Sequence, residues 1–158
     1  DKQEQFGRIM RMRALMDYTT KELYVKGLLK NTNDKCIVFA NTMKQADRIC
    51  KYSYHSKNKK SDENLELFSD GRINSLSCVL QLSEGISISN LKQGIIMHAY
   101  GNEKKTAQRI GRLLRLSPSE EAICHVLCYK GTQDEKWVNS ALQSFDSNKV
   151  FIFNPLKQ

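Results

Sequence analysis

Long apolar runs are absent from this sequence of 158 residues. No stretch approaches the roughly 20 apolar residues that a membrane-spanning helix requires, and the polar first residues do not resemble a signal peptide. Internal repeats and low-complexity segments are absent too. The length and the 40% hydrophobic content suit one domain with its own core. We therefore expect a cytoplasmic protein without a membrane partner.

The five cysteines follow no disulfide or metal-binding pattern. Their number is odd, and several lie in apolar runs, as is typical of reduced, buried thiols. Cys124, His125 and Cys128 have the residue types of a zinc site, but no second cysteine pair stands at zinc-finger spacing. On a strand, the two cysteines would face one side and the histidine the other. Core cysteines are the preferred interpretation, and we predict no metal ligands.

The phosphate-binding loop G-x-x-x-x-G-K-[S/T] is also missing. Its backbone amides and lysine hold the phosphates of a nucleoside triphosphate. An acidic Asp-Glu-x-His motif, which would hold magnesium, is missing as well. The chain therefore cannot bind a nucleoside triphosphate and magnesium by itself in the usual way.

Positive charge is what the sequence has in excess. It contains 25 Lys and Arg against 17 Asp and Glu, a net charge of +8. This excess favours a polyanionic partner, and nucleic acid before a membrane surface, because no amphipathic anchor is evident. Lys57, Lys59 and Lys60 form a basic segment that suits either phosphate contacts or an ordinary solvated loop.

Helical and strand patterns alternate along the chain. Helical spacing predicts a helix over residues 3–16, and Thr19 and Glu22 fit a capping box for a second helix over about 20–30. Turn and cap residues predict a short helix from about residue 61 to Asp70-Gly71, and Gly131-Thr132 begins a last helix. Apolar runs predict strands over 35–40, 73–82, 94–100, 122–129 and, finally, 150–153.

The run over residues 35–40 is continuously apolar and is followed by a polar loop and a helix. Such a run is typical of a central strand in a parallel sheet that is covered on both faces. Ligands of these α/β sheets bind at the carboxyl ends of strands. Asn41 and Thr42 are therefore placed to touch a ligand, although the same pair fits a helix cap nearly as well.

Residues 108–115 read Gln-Arg-Ile-Gly-Arg-Leu-Leu-Arg. On a helix, Gln108, Arg112 and Arg115 share one face, whereas Ile110 and Leu114 lie on another, apolar face. Guanidinium groups bind phosphate oxygens in a fork, so this face suits a polyphosphate. From these eight residues alone, a solvated basic face is an equally good interpretation.

Three segments together resemble the conserved motifs of superfamily-two helicases. Residues 108–115 are similar to the sixth motif, Q-R-x-G-R-x-x-R, residues 37–42 to the fourth, and residues 83–88 to the fifth. The sequence of residues 83–88 is most similar to the fifth motif of phage branch-migration and type III restriction helicases. The resemblance implies the second, C-terminal RecA-like domain of such an enzyme. Its fold is α/β, a P-loop NTPase-type three-layer sandwich with a mainly parallel sheet and helices on both faces.

The resemblance also implies roles for individual residues. Arg112 and Arg115 would be arginine fingers on the ATP γ-phosphate, with Gln108 beside them. Gly85 and Ser87 would lie at the nucleotide, with Ser87 standing where many relatives carry Asp against the ribose. The residues implied in contacts with the nucleic-acid backbone are Asn41, Thr42, His55 and Ser83.

The function implied is that of a motor domain in an ATP-dependent enzyme that unwinds or translocates on DNA. ATP and Mg²⁺ would be bound mainly by an N-terminal RecA-like domain of the same protein, so this chain alone is expected to be inactive. Two alternatives stay open: a restriction-system translocase domain, and a basic nucleic-acid-binding module without ATPase activity. We expect residues 1–34 to form a helical lead-in packed on a domain over 35–158.

Overall fold

The computed structural model describes residues 2–79, 88–99 and 121–155 of the chain. None of the helices in these ranges is long and apolar enough to cross a membrane. The elements are α1 (Lys2–Asp17), α2 (Thr20–Asn31), β1 (Cys36–Ala40), α3 (Met43–Ile49), β2 (Ser53–Tyr54), α4 (Ser61–Ser69), β3 (Ser75–Val79), β4 (Gln93–Ile96), β5 (Ile123–Val126), α5 (Gln133–Leu142) and a 3-10 turn (Ser147–Lys149).

The five strands form one parallel sheet in the order β2-β3-β1-β4-β5. Strand β1 is central, with β3 on one side and β4 on the other, and all five of its residues are buried. The chain first builds one side of β1 and then the other, so the sheet has a switch point at β1. The predicted α/β architecture with a parallel sheet is confirmed.

Helices cover both faces of the sheet. Val38 of β1 packs with Val25 of α2 and Ala46 of α3 on one face. Ile37, the residue before Val38 in β1, packs with Phe68 of α4 on the opposite face, and Leu142 of α5 adds to that cluster. Successive side chains of a strand point to opposite faces, so one apolar strand supplies two cores. Phe68 is fully buried, which contributes about 2–3 kcal/mol to stability.

The second helix begins where the sequence predicts, but without the predicted capping box. Thr19 has a helical conformation (φ −78°, ψ −11°) and its side chain makes no capping hydrogen bond. The carboxylate of Glu22 instead accepts hydrogen bonds from Arg48 of α3. The prediction was wrong because a tertiary partner for Glu22 outcompetes the local cap.

Two predicted strands differ from the structure. The ladder of β4 ends at Ile96, although Met97, His98 and Ala99 remain buried. Residues 150–153 form no strand, and Phe151 and Ile152 are 88% and 96% exposed. Aromatic and β-branched composition favours a strand only where a neighbouring strand supplies hydrogen bonds and packing, and this segment has none among the described residues.

Candidate functional site at the carboxyl edge of the sheet

The carboxyl ends of the parallel strands lie along one edge of the sheet. Asn41 and Thr42 directly follow β1, His55 follows β2, and Met97 follows β4. This is the edge at which open α/β sheets bind their ligands. Three residues predicted to contact nucleic acid, Asn41, Thr42 and His55, are therefore on this edge.

Thr42 caps helix α3. Its hydroxyl oxygen accepts a hydrogen bond of 3.2 Å from the backbone N–H of Gln45. The backbone N–H of Asn41 in turn donates to Oε1 of Gln45, at 2.9 Å. A helix cap and a ligand contact are compatible at Thr42, because its hydroxyl can accept the hydrogen bond from Gln45 and still donate its own proton to a ligand. Thr42 is exposed, so a phosphate can reach its hydroxyl group.

His55 is buried and belongs to a polar network with Asp47. Its Nε2 lies 2.8 Å from Oδ1 of Asp47, which also accepts a hydrogen bond of 2.6 Å from the hydroxyl of Ser53. These hydrogen bonds, led by the one from Ser53, lower the pKa of Asp47. The ring of His55 is therefore buried against Asp47, and a contact between this residue and nucleic acid stays a prediction.

The basic segment after His55 is held by hydrogen bonds between its own residues. The Asn58 amide donates to both the carbonyl and the hydroxyl of Ser53, and Oδ1 of Asn58 accepts from the backbone N–H of Lys60. The Ser61 hydroxyl donates to the carbonyl of His55 and accepts from its N–H. Lys57 and Lys60 are exposed, as is Lys59. The backbone is therefore fixed while the ammonium groups face solvent.

A buried lysine in α2 is a feature that the sequence analysis missed. Lys21 is 5% exposed, and its ammonium lies 2.5 Å from the carboxylate of Asp134 in α5. It also donates to the carbonyl of Met97, at 2.7 Å, and approaches Nδ1 of His98 at 3.2 Å and the carbonyl of Leu127 at 3.3 Å. Its three protons are thus directed at four acceptors, which satisfies the charge inside the protein.

Two aromatic residues and a helix cap enclose this cluster. The ring of Tyr129 lies 4.8 Å from the ammonium of Lys21 and meets the ring of Tyr18 edge to face. Asp134 also accepts the backbone N–H of Tyr129, at 3.0 Å, and Thr132 caps α5 with its hydroxyl. Burial lowers the pKa of Lys21 despite the opposing effect of Asp134. The pair therefore carries a substantial desolvation cost.

His98 is held neutral beside this lysine. Burial, together with the neighbouring charge of Lys21, lowers its pKa to about 3. Nδ1 faces the ammonium, so it acts as the acceptor and the ring proton is on Nε2. Nε2 is buried and has no hydrogen-bond partner within residues 2–79, 88–99 and 121–155.

Comparison with known proteins identifies the family. Residues 15–117 match the family described as the helicase conserved C-terminal domain. The chain belongs to this family. The matched range includes α2, strands β1 to β4 and all three segments that resemble helicase motifs.

One relative of this helicase C-terminal domain is a DNA translocase. The chain is 30% identical over 108 residues to the DNA 3'-5' translocase XPB2 of Sulfurisphaera tokodaii. This alignment covers 65% of this chain and 24% of the translocase. The chain thus spans about a quarter of that relative.

Solved structures confirm the RecA-like fold. The E. coli DEAD-box protein SrmB, solved with regulator of ribonuclease activity A, aligns with a TM-score of 0.62 at 17% identity, over 80% of this chain and 79% of that one. The C-terminal part of the Fun30 ATPase domain aligns with a TM-score of 0.60 at 19% identity, over 81% and 46%. At these identities the likeness shows the fold alone.

Six predicted site residues of the helicase domain lie outside the described ranges. They are Ser83, Gly85, Ser87, Gln108, Arg112 and Arg115. Their roles stay predictions from the motif resemblance.

The cysteines of the helicase domain only partly fit the expectation of buried thiols. Cys36, Cys50 and Cys78 are buried, Cys124 is partly buried and Cys128 is exposed. Burial raises the pKa of both Cys36 and Cys124 to about 12, so these two thiols are not activated nucleophiles. No group of three or more His, Cys, Asp or Glu side chains in the described part is arranged to hold a metal ion.

Proposed function

We propose that the chain is the C-terminal motor domain of an ATP-dependent superfamily-two enzyme that translocates on or unwinds DNA. The observation that carries the proposal is the family match over residues 15–117, which includes the segment from Gln108 to Arg115. The fold supports it, since Asn41 and Thr42 follow the central strand at the ligand-binding edge of the sheet.

ATP and Mg²⁺ belong, in this proposal, to a cleft shared with an N-terminal RecA-like domain of the same protein. This chain has no phosphate-binding loop, so that domain supplies the main contacts to the triphosphate and the metal. Arg112 and Arg115, with Gln108 beside them, then reach the γ-phosphate from this side, and Gly85 and Ser87 border the nucleotide. Hydrolysis is thereby coupled to the relative movement of the two domains.

DNA is the nucleic acid that we favour, and translocation the activity. The support is the 30% identity to a DNA 3'-5' translocase. None of the relatives described above is a phage or restriction enzyme. Membership of the phage or restriction branch is therefore supported only by the sequence of residues 83–88. A cytoplasmic location of bacterial or phage origin accompanies the proposal as a prediction.

The proposal is tested by comparing this chain with the complete protein. Purified 1–158 should hydrolyse ATP negligibly, because it lacks the phosphate-binding loop, whereas the complete protein should show ATP hydrolysis that single-stranded DNA stimulates. Steady-state phosphate release measures both. A robust rate from the isolated chain, with contaminating ATPases excluded, would overturn the half-enzyme proposal. A complete protein that binds DNA without hydrolysing ATP would favour the alternative of a simple binding module.

The lysines at the carboxyl edge are expected to bind the DNA backbone. Replacing Lys57 and Lys59 with Gln should weaken binding of single-stranded DNA by 1–158. It should also reduce the magnitude of the slope of log affinity against log salt by about 1–2, because the variant neutralises fewer phosphates and its binding releases fewer counterions. Fluorescence anisotropy over a salt series measures this slope.

Lys30 and Lys92 serve as the matched control for that measurement. Lys30 is at the end of α2 and Lys92 directly precedes β4, so both lie at the amino edge of the sheet. Replacing both with Gln changes the net charge equally but should leave the slope nearly unchanged. Equal effects of the two double replacements would show that net charge, rather than this edge, governs binding.

A further inference from the structure

Lys21 connects four elements of the fold through one ammonium group. The lysine belongs to α2, and its partners are the two residues after β4 (Met97 and His98), the residue after β5 (Leu127) and the first turn of α5 (Asp134). Helix α2 precedes the central strand, whereas α5 follows the last strand of the sheet. A single side chain thus links the beginning and the end of the domain.

A charged pair at this position costs stability that an apolar pair would not. Removing Lys21 and Asp134 from water carries a penalty that their attraction only partly offsets, and apolar pairs of similar volume are often as stable or more so. What an apolar pair could not do is donate hydrogen bonds to the backbone carbonyls of Met97 and Leu127. The specific contribution of Lys21 is therefore to fix where these two strand ends lie.

The end of β4 leads directly to the segment with the predicted arginine fingers. Ala99 is followed in sequence by residues 100–120, which contain Gln108, Arg112 and Arg115, and the chain returns to the sheet at β5. Groups that act on a transferring phosphate must be placed accurately, since a displacement of about 1 Å can cost roughly 100-fold in rate. Through the carbonyl of Met97, Lys21 holds the point directly after β4 from which this segment leaves the sheet. Through Leu127 it also ties the neighbouring carboxyl end of β5 to the same edge of the sheet.

We propose that Lys21, through its contacts with Met97, Leu127 and Asp134, is a positioning residue for ATP hydrolysis by the complete enzyme. The inference rests on the function proposed above. Lys21 touches neither nucleotide nor DNA in this proposal. It acts by fixing the carboxyl end of β4, which precedes the arginine-bearing segment in the chain, against the carboxyl end of β5 and the start of α5.

The test replaces the ion pair by an apolar pair in the complete protein. Lys21→Met combined with Asp134→Leu keeps the volume and removes both charges, so the domain should remain folded while the ties to the carbonyls are lost. We expect kcat for DNA-stimulated ATP hydrolysis to fall by about 10- to 100-fold. KM for ATP and the DNA concentration at half-stimulation should stay within about twofold, since binding contacts are not touched.

A second ion pair on the same helix is the matched control. Glu22 neighbours Lys21 in sequence and pairs with Arg48 of α3, a contact that leaves the ends of β4 and β5 untouched. Glu22→Leu combined with Arg48→Met should leave kcat within twofold of the parent. Equal losses of kcat in both double variants, or a rise in KM with kcat unchanged, would overturn the proposal.

Hydrogen exchange gives a readout that does not depend on activity. The amides of Met97 and Leu127 donate to the carbonyls of Phe39 and Ile96, so their exchange reports on the strand ends. Exchange at residues 97–99 and 127–129 should become at least tenfold faster in the Lys21→Met/Asp134→Leu variant and not in the control. Unchanged exchange contradicts the positioning role. A parent enzyme without DNA-stimulated hydrolysis refutes only the proposed function.

Discussion

Replacing Arg112 or Arg115 with Ala in the complete enzyme is expected to reduce ATP turnover far more than affinity for ATP or DNA. A guanidinium that meets the γ-phosphate fully only as charge builds up stabilises the transition state and not the bound substrate. Arginine fingers are worth roughly 10³–10⁵ in rate in related phosphoryl-transfer systems. Because two arginines share the task here, each single replacement should cost at least about 100-fold in single-turnover hydrolysis.

Arg109 is the internal control for this prediction. It belongs to the same segment and has the same charge, but on a helix it lies off the face shared by Gln108, Arg112 and Arg115. Arg109→Ala should therefore have little effect on single-turnover hydrolysis. Replacing Arg112 with Lys should restore little, because an ammonium cannot bind two phosphate oxygens in a fork. Equal losses from Arg109→Ala and Arg112→Ala would refute the shared-face argument.

The central strand and the site edge next to it could be predicted from local sequence. The apolar run before Asn41 is long enough for a strand buried on both faces, and the polar residues that follow mark its carboxyl end. The strand order could not be predicted, because no local pattern says that β3 pairs with β1 on one side and β4 on the other. Pairing depends on contacts between residues far apart in the sequence.

The Lys21 cluster shows why the burial of a charged helical residue is hard to predict from the sequence. A lysine in an amphipathic pattern is normally solvated. Its partners here, Met97 and Asp134, lie 76 and 113 residues further along the chain. No spacing rule connects positions so distant, so the burial of Lys21 becomes visible only in the folded structure. The same applies to the Glu22–Arg48 pair, which replaces the predicted cap.

Replacing Asp134 with Ala should destabilise the 158-residue chain by about 3–5 kcal/mol. The reason is that the ammonium of Lys21 is left buried without its counter-charge, and the backbone N–H of Tyr129 loses its acceptor as well. Urea unfolding followed by circular dichroism measures the loss. Glu4→Ala, which breaks an exposed pair with Arg8 on α1, is the control and should cost less than about 1 kcal/mol.

The origin of this loss can be separated from simple loss of packing. Adding Lys21→Met to Asp134→Leu should recover most of the stability, because no unpaired charge remains. In Asp134→Asn, the pKa of Lys21 should fall further, since Asp134 raises it in the parent. The unfolded state then binds more protons than the folded one, so stability should increase as the pH rises towards 10.5, the ordinary pKa of lysine. A pH-independent loss, or a double variant no more stable than Asp134→Ala, would show that the buried charge is not its cause.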